Sequence, residues 1–544
     1  MYTRITPILA GLLTAYATCT LAEEVGNQNS TYFNPMLPGF HPDPSCIFVP
    51  EWDESFFCAS SSFNAFPGIP VHASHVLNRY EQLPRLAETN RSTSGIWAPT
   101  LRYHDETFWL VTTLVNDDRA DNDASRWDNM EQVIFKATDP YDPGAWSNAV
   151  HFDFEGYDTE PFWDVDGKSY ITGAHAWKVG PRIELAEANL ETGEVGEWRT
   201  IWNGTGGMGP YESNPANPVL SNANTTEYFQ AVGHADLFQD ASGNWWGVAL
   251  SVRSGPSYLH FPMVRETVMV PVTWSTGEFP VWSPVRGEMS GWPFPPKNTD
   301  VKGPGPFIVE GDEVDFEAGS TLPAHFTHWR FPRPESFTVS PPEQPNSLRI
   351  NPSKLNLTAL NGNYAGPEGQ SFVGRRQQDT LFTYSVNLDF HPSSLEEEAG
   401  VSVFLTQNHH LDLGVVMLPS NSSTAALPYS GNRMIRRSGT LIPHLRFRGE
   451  SYVPVPDDIL APLPEAWLGR TLRLEIRASN MTHYSLSAGP ADAMSETRTI
   501  LDVSNEPVSW GFTGVYCTTN GRNGTGTPAY FSKWRYTPQG QYRN

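Results

Sequence analysis

The chain has 544 residues, which is too long for one ordinary domain and makes two domains the natural expectation. Its formal net charge of −24 argues against a nucleic-acid partner, because a phosphate backbone is recognised by a basic surface. Aromatic residues make up 12% of the chain, beside 44 Gly and 47 Pro and without a long 3.6-residue periodicity, so an all-β protein of short strands and tight turns is favoured.

The N-terminus has the pattern of a secretory signal peptide over residues 1–22. Arg4 precedes an apolar run over residues 5–13, and the small residues of TLA (20–22) offer a cleavage site. The run is too short to span a bilayer and no later segment is apolar enough, so no membrane association is expected. The expectation of a secreted, extracellular glycoprotein is strengthened by eight sequons, at Asn29, Asn90, Asn203, Asn224, Asn356, Asn421, Asn480 and Asn523.

Four segments that follow share one pattern. They begin at Asp43, Ala98, Asp158 and His234, and each runs from a small or polar residue into a short apolar strand. Each then turns through acidic or Gly positions into an aromatic strand. A repeated unit of this kind predicts a β-propeller, whose strands open at the centre and place their first side chains around one axial pocket.

The repeats are unevenly spaced. Their starts are 55, 60 and 76 residues apart. The last interval holds more than one unit but less than two. Either one blade carries a long insertion or a further blade is truncated.

A Pro/Gly-rich stretch near residue 305 reads as a linker between a propeller domain over residues 23–305 and a second domain over residues 306–544. Beyond the linker, alternating strands occur at residues 371–374, 382–388 and 472–476. This period-2 pattern predicts a β-sandwich. The second half has no group of carboxylates or histidines with evident catalytic spacing.

Three cysteines remain after removal of the signal peptide. Cys46 and Cys58 flank a hairpin turn on paired strands, where they form a disulfide or a buried free pair. Cys517 is then left over. No Cys/His spacing typical of zinc sites occurs.

Six motifs, in order along the chain, resemble glycoside hydrolase family 43. They are NPMLPGFHPDPS (34–45), FNAFPG (63–68), SGIWAP (94–99), GYD (156–158), GHA (233–235) and RET (265–267). That family includes β-xylosidases and α-L-arabinofuranosidases built on five-bladed propellers. The C-terminal half resembles the concanavalin-like sandwich of the β-xylosidase branch. The resemblance implies a five-bladed propeller with one truncated blade, a following β-sandwich, and a xylo- or arabino-oligosaccharide substrate.

The same resemblance assigns two carboxylates to an inverting glycosidase. Asp43 would be the general base that activates water, and Asp158 would keep the pKa of the acid raised and orient it. Without the motifs, Asp43 would read as a turn residue between two prolines and Asp158 as a residue at the entry of a strand.

Four further residues are implied to shape the pocket. Phe63 and Trp97 would pack on the apolar face of the sugar, and Arg265 would bind hydroxyl groups. His234 matches a histidine on the propeller axis that, in some relatives, faces water around a central ion, often calcium; the alternative is a satisfied core residue. No other cofactor is expected.

The general acid is not found. Relatives carry it on a Glu that opens the next blade, in a stretch between a GTGG-like run and GPYE, whereas this chain runs directly through IWNGTGGMGPYES (201–213). Glu160 lies two residues after Asp158 and should point the same way, so the two cannot flank a bond from opposite sides. Glu212 reads as a solvated turn residue.

Three interpretations follow. In the first, the chain is a glycosidase of the β-xylosidase or α-L-arabinofuranosidase type. In the second, it is a catalytically impaired or sugar-binding relative with the same fold. In the third, an exon carrying the acid has been skipped at Met208 in the gene model.

Overall fold

The computed structural model describes residues 29–75, 93–116, 129–175, 180–204, 211–254, 263–294, 305–306, 308–360, 369–422, 439–508 and 511–544. The signal peptide expected over residues 1–22 and most of the linker, residues 295–304, lie outside them. The described residues form strands and a few single 3-10 turns, and none of their helices is long and apolar enough to cross a membrane. The expectation of an all-β protein is confirmed.

Strands β1–β21 make up the N-terminal half. They are β1 Ser30–Phe33, β2 Ser45–Val49, β3 Ser55–Ala59, β4 Ala65–Phe66, β5 Pro70–His72, β6 Ser74–His75, β7 Thr93–Ile96, β8 Thr100–His104, β9 Thr107–Asn116, β10 Asn129–Ala137, β11 Val150–Phe152, β12 Tyr157–Trp163, β13 Ser169–His175, β14 Arg182–Asn189, β15 Glu194–Val195, β16 Arg199–Trp202, β17 Phe229–Gln239, β18 Trp245–Arg253, β19 Glu266–Thr273, β20 Val281–Trp282 and β21 Glu288–Gly291.

These strands form antiparallel, blade-like sheets in chain order. In the described residues the first sheet has the order β2-β3-β5-β6. In the second sheet β9 pairs with β7, β8 and β10, and β10 pairs in turn with β11. The third is β12-β13-β14 with β15 and β16, and the fourth is β17-β18-β19-β20. β1 pairs with β21, so the first described strand joins the last strand of this half.

Each sheet begins with the hairpin that the repeats predict. The starts at Asp43, Ala98, Asp158 and His234 lie at or in β2, β8, β12 and β17, and the aromatic strands are β3, β9, β13 and β18. Local strand pairing explains why the pattern is visible in sequence, since each unit closes on itself through a turn of a few residues.

Shared cores order the sheets around a centre. The core between the first and second sheets is built from Ile47, Phe57, Leu101, Phe108 and Val133 among others. The second and third sheets share Trp109, Ile134, Phe152 and Ile171, and the fourth packs on the first through Cys46, Phe238, Trp246 and Val268. The order fourth, first, second, third is that of neighbouring blades in a propeller.

The long interval between repeats falls between β16 and β17. The described residues between Trp202 and Phe229 contain no strand. Residues 205–210, which include the junction at Met208, lie outside the described part of the chain. The truncation of a fifth blade stays a prediction.

The C-terminal half contains strands β22–β36. They are β22 Asp312–Val314, β23 Thr327–Trp329, β24 Phe337–Val339, β25 Leu348–Ile350, β26 Phe372–Arg376, β27 Leu381–Asp389, β28 Glu398–Thr406, β29 His409–Pro419, β30 Leu441–Glu450, β31 Ile459–Pro462, β32 Leu472–Ala478, β33 His483–Pro490, β34 Arg498–Ser504, β35 Phe512–Thr518 and β36 Ala529–Gly540.

Two eight-stranded sheets face each other in this half, which confirms the predicted sandwich. One has the order β24-β25-β36-β27-β32-β33-β34 with β22 on β36, and the other has the order β31-β30-β29-β28-β35-β26-β23-β4. Alternate residues of the facing strands, such as Val386, Leu474, Val401, Leu413 and Val515, are fully buried between them. Period-2 alternation therefore sets which face enters the core.

One strand crosses from the first half into the second. β4 belongs to the N-terminal half, yet Ala65 and Phe66 pair with Trp329 and His328 of β23 and so extend a sheet of the sandwich. The two halves are thereby joined by backbone hydrogen bonds close to Phe63.

The cysteine pair is settled by strand register. Cys46 and Cys58 lie directly opposite each other on β2 and β3 and form a disulfide. Cys517 is a buried free thiol on β35.

Candidate active site

The six residues expected at the pocket all lie near the inner ends of the sheets. Asp43 precedes β2, Phe63 lies between β3 and β4, Trp97 joins β7 to β8, Asp158 is in β12, His234 is in β17, and Arg265 precedes β19. Chain segments more than 200 residues apart are thus brought to one place by the closing of the sheets around the centre.

Asp43 is held on both of its carboxylate oxygens. The Ser61 hydroxyl donates to Oδ2 over 2.9 Å, and the Arg265 guanidinium donates to Oδ1. The residue is only 4% exposed. A carboxylate held in this way is oriented and keeps lone pairs that can accept a proton.

Asp158 and His234 lie next to each other in the site. Oδ2 of Asp158 lies 3.6 Å from Nδ1 of His234, and both side chains are 29% exposed. Burial opposes the charged form of the imidazole, but the hydrogen bond to Asp158 and the charges of Asp43 and Asp158 outweigh it and raise the pKa of His234. Because both carboxylates act on one imidazole, they belong to one site.

Aromatic rings form a wall beside these charges. The ring of Phe63 lies 6.4 Å from that of Trp97, which meets the ring of Tyr157 edge-on at 5.7 Å. Phe40 contacts Phe63 from the other side at 5.8 Å, and the Arg265 guanidinium lies 5.4 Å above the Phe63 ring. Such a wall offers apolar surface to one face of a sugar ring, with hydrogen-bonding groups at its edge.

The backbone of the site is strained at five positions. Asp43, Phe63, Asp158, His234 and Arg265 have φ values of 53°, 49°, 52°, 45° and 56°, in the left-handed region that non-glycine residues rarely adopt. Each such residue costs about 1–2 kcal/mol. Strain of this kind is typical of functional sites, where surrounding contacts hold it in place.

A second layer of polar residues lies beside these, and sequence reasoning missed it apart from Glu160, which it considered only as an acid. The Arg102 guanidinium on β8 donates to both oxygens of Asp236, at 2.8 and 2.9 Å, and to the hydroxyl of Ser45 at 3.1 Å. It also binds Glu160. Ser45, Glu160 and Asp236 each follow a pocket residue by two positions, so period-2 alternation was the signal that could have found them.

The carboxylates considered as replacement acids are placed differently. Glu160 is paired with Arg102 and is 49% exposed. Glu212 is exposed in a stretch without a strand. The general acid therefore remains unassigned.

A calcium ion near His234 stays a prediction. Within the described residues, no three His, Cys, Asp or Glu side chains form a group able to hold a metal ion. His234 presents Nδ1 to Asp158, whereas calcium is bound by six to eight oxygens. The residues around His234 do not fit that ligand set.

Two family models match the chain. The model described as glycosyl hydrolases family 43 matches residues 32–208 and 203–280, and the β-xylosidase C-terminal concanavalin A-like domain matches residues 313–537. Together the matched residues cover most of both halves.

Curated proteins resemble the chain over most of its length. A non-reducing end α-L-arabinofuranosidase of Bacteroides ovatus is 30% identical over 555 residues, covering 92% of this chain and 94% of that protein. A β-xylosidase of Bacillus subtilis is 26% identical over 445 residues, covering 69% of this chain and 77% of that protein.

Solved structures share the fold. Bacteroides ovatus xyloglucan PUL GH43B has a TM-score of 0.71 at 27% identity and covers 93% of this chain and 99% of its own. A xylan β-1,4-xylosidase from Bacillus halodurans has a TM-score of 0.73 at 22% identity, covering 93% and 99%. The second likeness concerns the fold alone.

Proposed function

Because the chain belongs to glycosyl hydrolase family 43 and is a glycosidase of the xylosidase and arabinofuranosidase type, we propose that it acts on xylan-derived oligosaccharides with inversion at the anomeric carbon. The observation that carries the proposal is the joining of Asp43, Asp158, His234 and Arg265 in one half-buried cluster beside an aromatic wall. The sugar at the non-reducing end would be a xylose or arabinose unit.

Asp43 would act as the general base. Its carboxylate takes a proton from a water molecule as the water oxygen bonds to the anomeric carbon, and the bond to the leaving oxygen breaks on the opposite face. Ser61 and Arg265 hold the carboxylate in place for this step. A base positioned in this way typically contributes about 10²–10⁴-fold to the rate.

Asp158 and His234 would act on the leaving-group side. The carboxylate of Asp158 would lie next to the space where an acid would donate its proton, and a negative charge there favours the protonated form of a neighbouring carboxylic acid. His234 would hold Asp158 in place through the contact between them. Phe63 and Trp97 would hold the apolar face of the sugar. Arg265 would bind a hydroxyl group of the sugar in addition to its bond with Asp43.

The acid itself would be missing from this chain, which would impair it on natural substrates. Two observations support this proposal. The family model matches in two segments that meet at residues 203–208, and the described residues from 203 to 228 contain no strand. A sugar is a poor leaving group without a proton, whereas a nitrophenolate leaves readily.

Leaving-group dependence tests the proposal. We expect the purified chain to be near-inactive on xylobiose and to retain trace activity on nitrophenyl β-D-xyloside or nitrophenyl α-L-arabinofuranoside. Rapid hydrolysis of xylobiose would mean that another carboxylate supplies the proton. Sequencing the transcript across residues 206–211 separates a natural deletion from a skipped exon, because a recovered Glu-bearing exon restores an ordinary enzyme.

Replacing the base is the second test. Asp43→Ala should lower the rate on the nitrophenyl glycoside by about 10²–10⁴-fold. Asp53→Ala is a matched control, because Asp53 is an exposed turn residue with φ 52°, close to the 53° of Asp43. Both variants place alanine in a left-handed conformation, so the backbone cost does not distinguish them. Equal rates in the two variants would remove Asp43 from the mechanism.

We also propose that the protein is secreted. The asparagines of seven of the eight sequons lie in described residues, and six of them are exposed, Asn356 being half-buried. The disulfide between Cys46 and Cys58 suits an oxidising compartment. Expression in a eukaryotic host should deliver a glycosylated chain beginning near Glu23 to the medium, as read by N-terminal sequencing and glycosidase treatment. A chain retained in the cell with residues 1–22 intact would refute the proposal.

A further inference from the structure

A buried ion pair lies outside the groups that the proposed reaction uses. Nε and Nη2 of Arg253, at the end of β18, donate to the two carboxylate oxygens of Glu266, at 2.6 and 2.8 Å. The side chains are 1% and 0% exposed. A pair removed from water in this way is costly unless its remaining donors and acceptors are satisfied, so the partners of these two side chains define what the pair does.

Glu266 holds the segment that carries Asp43. Its Oε1 accepts from the backbone N–H of Gly39 at 2.8 Å. Next to it, the Thr267 hydroxyl donates to the carbonyl of His41 at 2.8 Å, and the N–H of His41 donates to the carbonyl of Arg265 at 3.3 Å. Residues 36–43 therefore lie along the start of β19. Of the residues at the start of β19 that contact them, Glu266 is the charged one, and it is fully buried.

Arg253 holds the C-terminal end of the chain. Its Nη1 donates to the carbonyl of Tyr542 at 2.7 Å, to Oε1 of Gln541 at 2.9 Å and to the hydroxyl of Thr380 at 3.3 Å. The amide of Gln541 in turn donates to the carbonyl of Gln378 at 2.7 Å. The tail is thus fixed to the sandwich on one side and to Arg253 of the propeller on the other.

We propose that the C-terminal residues Gln541 and Tyr542, acting through Arg253 and Glu266, are positioning residues for Asp43 and Arg265. The tail supplies acceptors for the buried guanidinium of Arg253. Arg253 holds the carboxylate of Glu266 through two hydrogen bonds, and Glu266 in turn holds the backbone N–H of Gly39 in the segment that leads to Asp43. The catalytic part of this inference rests on the proposed role of Asp43, whereas the positioning itself does not.

Hydrogen exchange tests the positioning directly. In Arg253→Gln, and in a chain ending at Gly540, backbone amides of residues 37–44 should exchange about tenfold faster or more, because the carboxylate that holds them is loosened. Arg446→Gln is a matched control. Arg446 forms an equally buried pair with Glu398, at 1% and 5% exposure, but within the sandwich. The Arg446→Gln variant should be less stable than the wild type, but its amide exchange over residues 37–44 should be unchanged.

A double variant separates positioning from a general loss of stability. Arg253→Gln leaves Glu266 without its counter-charge, whereas Arg253→Gln with Glu266→Gln removes the stranded charge and keeps an amide oxygen for Gly39. With the nitrophenyl glycoside, kcat should fall about tenfold or more in the single variant and recover in part in the double variant, because small displacements of a reacting group cost rate steeply.

The outcomes are distinct. Unchanged exchange over residues 37–44 in both Arg253→Gln and the shortened chain overturns the inference, whatever the activity. Faster exchange with an unchanged kcat overturns the link to Asp43, provided that Asp43→Ala has lost activity. If Asp43→Ala keeps full activity, the proposed reaction fails, and the exchange result alone decides whether the tail positions the segment.

Discussion

At the scale of single residues, the pocket is organised by arginines that each serve more than one partner. Arg265 binds Asp43 and lies over Phe63, and Arg102 joins Ser45, Asp236 and Glu160 below it. The guanidinium fork suits this task because it offers five donors in a fixed plane. The carboxylates on the axis are therefore balanced by charge and held at set positions.

The raised pKa of His234 predicts a pH-dependent contribution to stability. The folded-state pKa is raised above the ordinary value of 6.5, so the ion pair with Asp158 stabilises fully below that value and is lost as pH rises through the folded-state pKa. The gap in melting temperature between the wild type and His234→Gln should be larger at pH 5 than at pH 8.5. His483→Gln is the control variant, because it removes a histidine at an exposed position. A difference in melting temperature between the wild type and His234→Gln that grows with pH would contradict the raised pKa of His234.

At the scale of elements, the loop that carries Phe63 is fixed by its neighbour β7. Phe63 and Ile96 exchange two backbone hydrogen bonds of 3.0 Å. Gly95 has φ +86°, and a Cβ there would lie 1.9 Å from the carbonyl carbon of Phe63. Only glycine permits this approach, so β7 sets the position of the aromatic wall.

Substitution of Gly95 tests that dependence. Gly95→Ala should lose more stability than Gly167→Ala, which pays a similar backbone cost of about 1–2 kcal/mol at φ +81° but has no atom within 4 Å of its new Cβ. Gly95→Ala should also raise KM for the nitrophenyl glycoside, because Phe63 must move. Denaturant titration and steady-state kinetics measure both effects. Equal losses of stability in Gly95→Ala and Gly167→Ala would show that Phe63 moves aside without an energetic cost.

The sequence predicted those parts of the molecule that are local. The four hairpins were visible because each closes within a few residues, and the six residues expected at the pocket could be named because they sit in short motifs. The pair of Arg102 and Asp236 joins positions 134 residues apart, and the tail reaches Arg253 from 288 or more residues away. Period-2 alternation could have placed Asp236 beside the pocket residues, but no sequence pattern names the partner of Asp236 or of Arg253, so sequence reasoning missed both pairs. The register of β2 and β3 likewise decided a disulfide that the sequence left open.

At the scale of the whole molecule, the two halves share structure rather than merely touch. Besides the pairing of β4 with β23, Nε of Arg376 in β26 donates to the carbonyl of Phe40 at 2.9 Å. A Cβ on Gly39 would lie 2.2 Å from the carbonyl oxygen of Gln377. The segment leading to Asp43 is thus enclosed between propeller and sandwich.

This sharing predicts cooperative unfolding. We expect one calorimetric transition whose van't Hoff enthalpy approaches the calorimetric value, although chains of several domains often unfold in steps. Cleavage of the linker at residues 295–304 should leave the two halves associated on gel filtration, because β4 and the C-terminal tail still join them. Two well-separated transitions would show that each half is stable alone.

The pairing of β1 with β21 has a consequence for biosynthesis. Ser30 faces Gly291, so the partner of β1 leaves the ribosome 261 residues after β1 does. At a translation rate of about 5–20 residues per second this is a delay of roughly 13–52 s. Throughout that time β1 presents an unpaired edge, together with Tyr32, which is 6% exposed once folding is complete. A chain built in this order leaves β1 without the strand it pairs with until β21 has been synthesised.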